Sequence, residues 1–213
     1  MIAIIDYGAG NLRSVANAIA LLGYDGRITS SPEEVVKADA VFLPGVGAAA
    51  DTVSSLQAQG LDKALREIIA RNTPLFAVCV GLQVLFEETE EGGGCQCLGL
   101  LPGKVRKLPA GIKVPHIGWN NVKNAKSHAL FSGIEDNSFF YFVHSYYVEP
   151  DLRTEVIGTT EYGINFASAI ARGNLVATQF HPEKSGAVGL KMYDNFLKSA
   201  IRGTDENEVP DYR

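Results

Sequence analysis

The sequence predicts an α/β fold: a mostly parallel central sheet flanked by helices, with antiparallel strands added to it. Three observations carry that prediction. In the first half, short and wholly apolar runs alternate with segments of helical period, the pattern of parallel strands covered on both faces. Glycine and proline clusters punctuate those runs where a strand would turn toward a helix. Beyond residue 99 the helical period gives way to short strand-like runs separated by Gly, Pro and Asn turns.

In order, residues 2–5 read as a buried strand, ended by Asp6 and the turn Gly8-Ala9-Gly10. A helix is expected over 12–22, where Leu12, Val15, Ala16, Ile19 and Leu22 recur at the helical period and Gly23 supplies the C-cap. Residues 40–43 form a second strand, stopped by Pro44-Gly45, and a second helix fits 62–70. A third strand over 75–80 leads directly into a helical segment at 81–86. In the second half, antiparallel strands are expected over 139–143, 146–148, 155–159, 166–171 and 175–180, followed by a helix over 189–202. Residues 1–202 read as a single domain, and 203–213 as a polar, frayed C-terminal tail.

Composition narrows the function classes. At 213 residues, 46% hydrophobic and 20% charged, the chain is an ordinary globular protein. A net charge of -5, with no local Lys/Arg cluster, offers no footprint for nucleic acid. No apolar run approaches the roughly 18 residues that span a bilayer, and the N-terminus lacks the features of a signal peptide, so a cytoplasmic location is expected. The three cysteines, Cys79, Cys95 and Cys97, do not make a disulfide framework. Cys95 and Cys97 lack a second ligand pair at zinc spacing, so no metal is expected there.

Cys79 sits in Phe76-Ala77-Val78-Cys79-Val80-Gly81-Leu82-Gln83, where a buried strand meets a helix. Small residues two positions either side of it match a nucleophile elbow, a sharp turn that lifts the side chain to the mouth of the sheet. A helix N-terminus beneath the sulfur favours the thiolate. The Val80 N–H would be free to donate to an oxyanion. Taken alone, Cys79 fits a buried structural cysteine as well as it fits a nucleophile.

A nucleophile needs a base, and His181 is the best placed of the four histidines. It lies at the end of an apolar strand, the edge at which open α/β sheets place their ligands. If the chain stays extended through Pro182, Glu183 points to the same side and can fix the imidazole tautomer. His128 reads as a solvated loop residue, and His116 as a strand-end residue. Neither His116 nor His144 is followed by an acid. The turn Pro44-Gly45-Val46-Gly47 would bring further backbone N–H groups to the same edge, with Val46 and Gly47 completing an oxyanion hole. Gly8 and Gly10 do not open a dinucleotide fingerprint, because Arg13 takes the place of its third glycine.

Together these residues resemble the class I glutamine amidotransferases. Cys79-Val80-Gly81-Leu82-Gln83 is similar to their cysteine elbow, and His181-Pro182-Glu183 to their base and acid. Within them the resemblance sharpens to the glutaminase subunits of imidazole glycerol phosphate synthases. It is carried by Ile5–Leu12, Pro44–Gly47, His116–Asn120, His144–Tyr147 and His181–Gly186, and it extends to about residue 200. The resemblance implies a flavodoxin-like amidotransferase fold, and hydrolysis of glutamine through a glutamyl thioester on Cys79. It also implies delivery of ammonia to a (β/α)8 cyclase subunit as a heterodimer, in histidine biosynthesis and without a cofactor. Gly47, Gln83, Glu91, His144, Ser145 and Tyr146 would hold glutamine, while Asn11, Trp119, Tyr141 and Lys184 would lie at the partner interface. The family carries glycine two residues before the nucleophile, where this chain has Ala77, so a slightly altered elbow is expected.

Overall fold

The computed structural model describes residues 1–202. The expected tail at 203–213 lies outside the described residues. In chain order the first half comprises β1 (Ile2–Ile5), α1 (Leu12–Leu21), β2 (Gly26–Thr29), α2 (Pro32–Val36), β3 (Ala40–Leu43), α3 (Ala49–Ala58), α4 (Leu61–Ala70), β4 (Leu75–Val78) and α5 (Val80–Gln83). The second half comprises β5 (Glu88–Thr89), β6 (Cys95–Gln96), β7 (Gly103–Lys107), β8 (His116–Asn124), β9 (Ser138–His144), β10 (Tyr146–Pro150), β11 (Val156–Glu161), β12 (Asn165–Arg172), β13 (Leu175–Thr178) and α6 (Gly186–Arg202).

One sheet runs through the molecule in the order β2-β1-β3-β4-β13-β12-β10-β7-β5-β6, with β11, β8 and β9 branching from β12. The block β2-β1-β3-β4-β13 is parallel. Every residue of β1, β3, β4 and β13 is buried, because helices cover both faces of the block. Phe42 and Phe76 stack across β3 and β4, and Tyr193 and Phe196 of α6 meet them edge-on, which locks α6 onto the sheet.

Several boundaries differ from the sequence expectation for local reasons. The strand expected over 75–80 ends at Val78, because Cys79 leaves extended geometry. The helix expected over 81–86 is α5, starting at Val80 and ending at Gln83. The run expected over 175–180 is not simply antiparallel. β13 pairs parallel with β4 on one side and antiparallel with β12 on the other, so it is the seam between the two halves of the sheet.

β2, α2 and α3 did not stand out in the sequence. β2 is an edge strand with its middle residues exposed, and α3 has an apolar face diluted by Ser, Thr and Gln. α2 did carry a readable signal: Ser31 Oγ accepts from the Glu34 N–H, and Pro32 opens the helix. Among the described residues no helix is long and apolar enough to cross a membrane.

Candidate active site

β4 delivers Cys79 to the C-terminal edge of the parallel block with φ 54 and ψ -109, a conformation that L-residues rarely adopt. Such a turn costs on the order of 1–3 kcal/mol and persists only where its surroundings enforce it. Here Cys79 N–H donates to Thr178 O at 2.7 Å, tying the elbow to the end of β13. A Cβ at Gly81 would overlap the Leu43 carbonyl, and one at Gly45 would overlap the Gly81 backbone. The two glycines therefore let the Pro44–Gly47 turn close directly onto the elbow. Ala77 is wholly buried in β4, paired with Leu43 and Ala177 on the neighbouring strands, and the strained turn begins two residues after it.

His181 follows β13, and its N–H donates to Tyr141 O of β9 at 2.9 Å. Its Nδ1 lies 2.8 Å from Glu183 Oε1, with both side chains 1% exposed. The route to this contact differs from the expected extended chain. Pro182–Lys184 forms a 3-10 turn, and it is this turn that swings Glu183 back under the imidazole. Glu183 receives two more hydrogen bonds, from Tyr193 Oη to Oε2 at 3.2 Å and from Asn11 Nδ2 to Oε1 at 3.5 Å. Burial works against its charge, but the His181 imidazole outweighs burial and holds the carboxyl below its usual range.

His181 Nε2 is buried without a hydrogen-bond partner and is turned toward Cys79. Burial alone would depress the imidazole, yet Cys79 and Glu183 together raise it to about 9. The site is thus built to keep a proton on His181 beside the sulfur, the arrangement that favours a reactive thiolate.

Cys79 and His181 open into a cavity of about 340 Å³. Its wall includes Val46, Gly47 and Val80, the backbone positions expected to form an oxyanion hole, and also Gln83, Glu91, His144, Ser145 and Tyr146. Gly47 has a φ of 90, a conformation open to glycine without strain. Glu91 Oε2 accepts from Ala49 N–H at 2.6 Å, fastening the cavity rim to the start of α3. His116, expected as a strand-end residue, and His144, expected among the glutamine-holding residues, form a buried pair with Nδ1 of the first 2.9 Å from Nε2 of the second. His144 Nδ1 donates to Tyr146 O at 2.8 Å, so in the neutral ring Nε2 is the acceptor for His116 Nδ1–H. Burial first of all pushes His116 down to about 4 and His144 down to about 3.

The residues expected at a partner interface sit in two places. Trp119 and Tyr141 meet edge-on at 6.1 Å on the outer face of the β8–β9 ribbon, and Lys184 lies 5.8 Å over the Tyr141 ring. Lys184 also lines the Cys79 cavity, so this aromatic patch borders its mouth. Asn11 lies deeper, against Glu183.

A family model described as glutamine amidotransferase class-I matches residues 3–200. The chain belongs to the class I glutamine amidotransferases. It is 58% identical over 201 residues to the imidazole glycerol phosphate synthase subunit HisH of Dehalococcoides mccartyi strain CBDB1, across 94% of this chain and 98% of the relative. It is 55% identical over 195 residues to the subunit of the same name from Moorella thermoacetica, across 92% of this chain and 93% of the relative. Among solved structures, one described as a glutamine amidotransferase superposes with a TM-score of 0.74 at 18% identity, covering 94% of this chain and 100% of that one. PurLQS from Thermotoga maritima matches with a TM-score of 0.74 at 15% identity, over 95% and 98% of the two chains. These distant likenesses concern the fold alone.

Sequence reading of this amidotransferase missed Tyr193 and Gln179, both buried against the site residues. Neither carries a motif: Tyr193 reads as one more core residue of α6, and Gln179 as part of a strand end. His128, expected in a solvated loop, is half-buried and accepts from Leu130 N–H through Nδ1, capping a 3-10 turn. Cys97 is pushed up to about 12, by burial and then by its neighbour Cys95. Among the described residues no group of three or more His, Cys, Asp or Glu side chains is placed to hold a metal ion. A second cavity, about 350 Å³, lies by Asn72, His128 and Asn195, and includes none of the residues discussed above as nucleophile, base or acid.

Proposed function

We propose that the chain hydrolyses glutamine to glutamate and ammonia, and that it hands the ammonia to a cyclase partner making imidazole glycerol phosphate. The observation that carries this reading is a cysteine and a histidine lining one cavity, with a carboxylate 2.8 Å from the imidazole and an exposed aromatic patch beside Lys184 of the cavity wall. Its close relatives named as subunits of imidazole glycerol phosphate synthase support the choice of substrate and pathway.

In the reaction, the Cys79 thiolate attacks the side-chain amide carbon of glutamine, and His181 gives its proton to the departing ammonia. The tetrahedral oxyanion is held by backbone N–H groups at Val80 and at the Val46–Gly47 turn. Water, deprotonated by the now neutral His181, then cleaves the glutamyl thioester and releases glutamate. Glu183 keeps the imidazole in the tautomer that both steps need. Gly47, Gln83, Glu91, His144, Ser145 and Tyr146 form the wall that holds the amino-acid part of the substrate.

The partner is a (β/α)8 cyclase subunit seated on the β8–β9 ribbon, where Ile117, Trp119 and Phe139 are 58%, 56% and 59% exposed. Exposed apolar side chains in one place mark an interaction surface. Trp119, Tyr141 and Lys184 belong to this surface, and Asn11 lies deeper, against Glu183. The test is synthesis by the reconstituted complex of Cys79→Ala. Glutamine-dependent product should vanish while product from added ammonium salt persists. Loss of both would refute the division of labour.

A further inference from the structure

Gln179 is wholly buried on the stretch between β13 and His181, and its hydrogen bonds place it against the nucleophile. Its Nε2 lies 3.6 Å from Cys79 Sγ. Its backbone N–H is already spent on Ser168 O at 2.9 Å. The orientation of the side-chain amide follows from its neighbours. Tyr146 O can only accept, and it lies 2.9 Å from the Gln83 side-chain nitrogen. That nitrogen therefore belongs to the NH2 group, and it donates a second time to Gln179 Oε1 at 3.1 Å. With Oε1 so engaged, the Gln179 NH2 group must face the sulfur.

We infer that Gln179 is a further catalytic residue, the side-chain donor that holds the Cys79 sulfur in its attacking position and stabilises the thiolate, with Gln83 as its orienter. A buried amide is costly unless its polar atoms are satisfied, and a thiolate is the acceptor this NH2 group meets. The Val143 carbonyl lies 3.8 Å from the same sulfur and accepts from the thiol form, so the Gln179 donor joins the His181 imidazole in tilting the local hydrogen bonding toward the anion. The titratable groups facing the sulfur are His181 from the stretch after β13 and Tyr7 from the loop after β1. Glu91, His144 and Lys184 look onto it from across the cavity. The assignment rests on the glutaminase reading and gives Gln83 a task besides any contact with glutamine.

The test is site-resolved alkylation of Cys79 by iodoacetamide over roughly pH 5–10, read by mass spectrometry in wild type, Gln179→Met and Gln179→Glu. Gln179→Glu keeps an acceptor for Gln83 and sets a carboxylate oxygen where the donor to sulfur stood, so the thiolate loses its hydrogen bond and gains a repulsive neighbour, and the variant remains informative if Gln179→Met does not fold. The pH of half-maximal alkylation should rise by about one unit in Gln179→Met and further in Gln179→Glu, and kcat for glutamine should fall at least roughly tenfold with KM within about twofold. A wild-type alkylation profile in either folded variant would overturn the assignment. So would a raised KM with kcat unchanged, the mark of a substrate-binding group. Alkylation needs neither glutamine nor a partner. A wild-type complex that releases no glutamate would therefore sink the glutaminase reading while leaving the alkylation comparison to decide the role of Gln179.

Discussion

Gly189 of α6 lies so close to Pro182 that a Cβ on the glycine would overlap the Pro182 carbonyl group. This contact presses the first turns of α6 onto the 3-10 turn that carries Glu183, and so sets how far the carboxylate reaches under His181. Gly189→Ala should push the two elements apart. Overpacking of this kind costs about 1–3 kcal/mol, and displacement of the carboxylate should lower kcat roughly tenfold. Denaturant unfolding together with steady-state glutaminase assays reads both effects. A stable, fully active variant would show that the turn does not depend on this contact.

Tyr193→Phe isolates the second support of Glu183. The hydroxyl is buried and donates to Oε2 at 3.2 Å, and its removal leaves a buried charged oxygen short of a partner. Hydrogen bonds to charged groups contribute about 1.5–3 kcal/mol, so unfolding stability should drop within that range. Turnover should fall several-fold, because the acid is less firmly fixed while the base is untouched. Thermal or chemical unfolding and initial-rate measurements on the same preparation separate the two.

The histidines should titrate far apart in an NMR experiment on the imidazole nuclei. His181, raised to about 9 from 6.5, should keep its proton through neutrality, and Cys79→Ala should lower its midpoint. His116 and His144, at about 4 and about 3, should stay neutral down to acid pH. The stability contributions follow with opposite signs. That of His181 is complete below 6.5 and lost as pH rises through about 9, while that of the neutral pair is complete above 6.5 and lost as pH falls through about 4 and about 3. A His181 midpoint at or below its ordinary value would contradict the proton-holding role.

Ala77→Gly tests the departure from the family's elbow. Because Ala77 is buried in mid-strand between Leu43 and Ala177, glycine there should cost about 1–2 kcal/mol through backbone freedom and a lost methyl contact. Glutaminase turnover should stay within about twofold of the parent, since Ala77 lies in regular strand and the strained turn begins at Cys79. Higher turnover in the glycine variant would place the strain of the elbow further upstream.

The sequence by itself determined what local patterning can encode. Wholly apolar runs such as Ile2–Ile5 and Ala40–Leu43 marked the buried parallel strands, and the small residues around Cys79 marked a turn that only a close backbone approach requires. The end of an apolar run singled out His181, with Glu183 two residues on, and the family resemblance then added glutamine as the substrate. Only the tertiary structure decided how these residues meet. Periodicity tells which face of a strand is buried and not which strand lies beside it, so the pairing of β13 with β4, which brings His181 to Cys79, could not be read from either segment. The Gln83–Gln179 and Asn11–Glu183 hydrogen bonds likewise join segments distant in the chain. Their partners are chosen by packing across the sheet, which has no signature at any one position in the sequence.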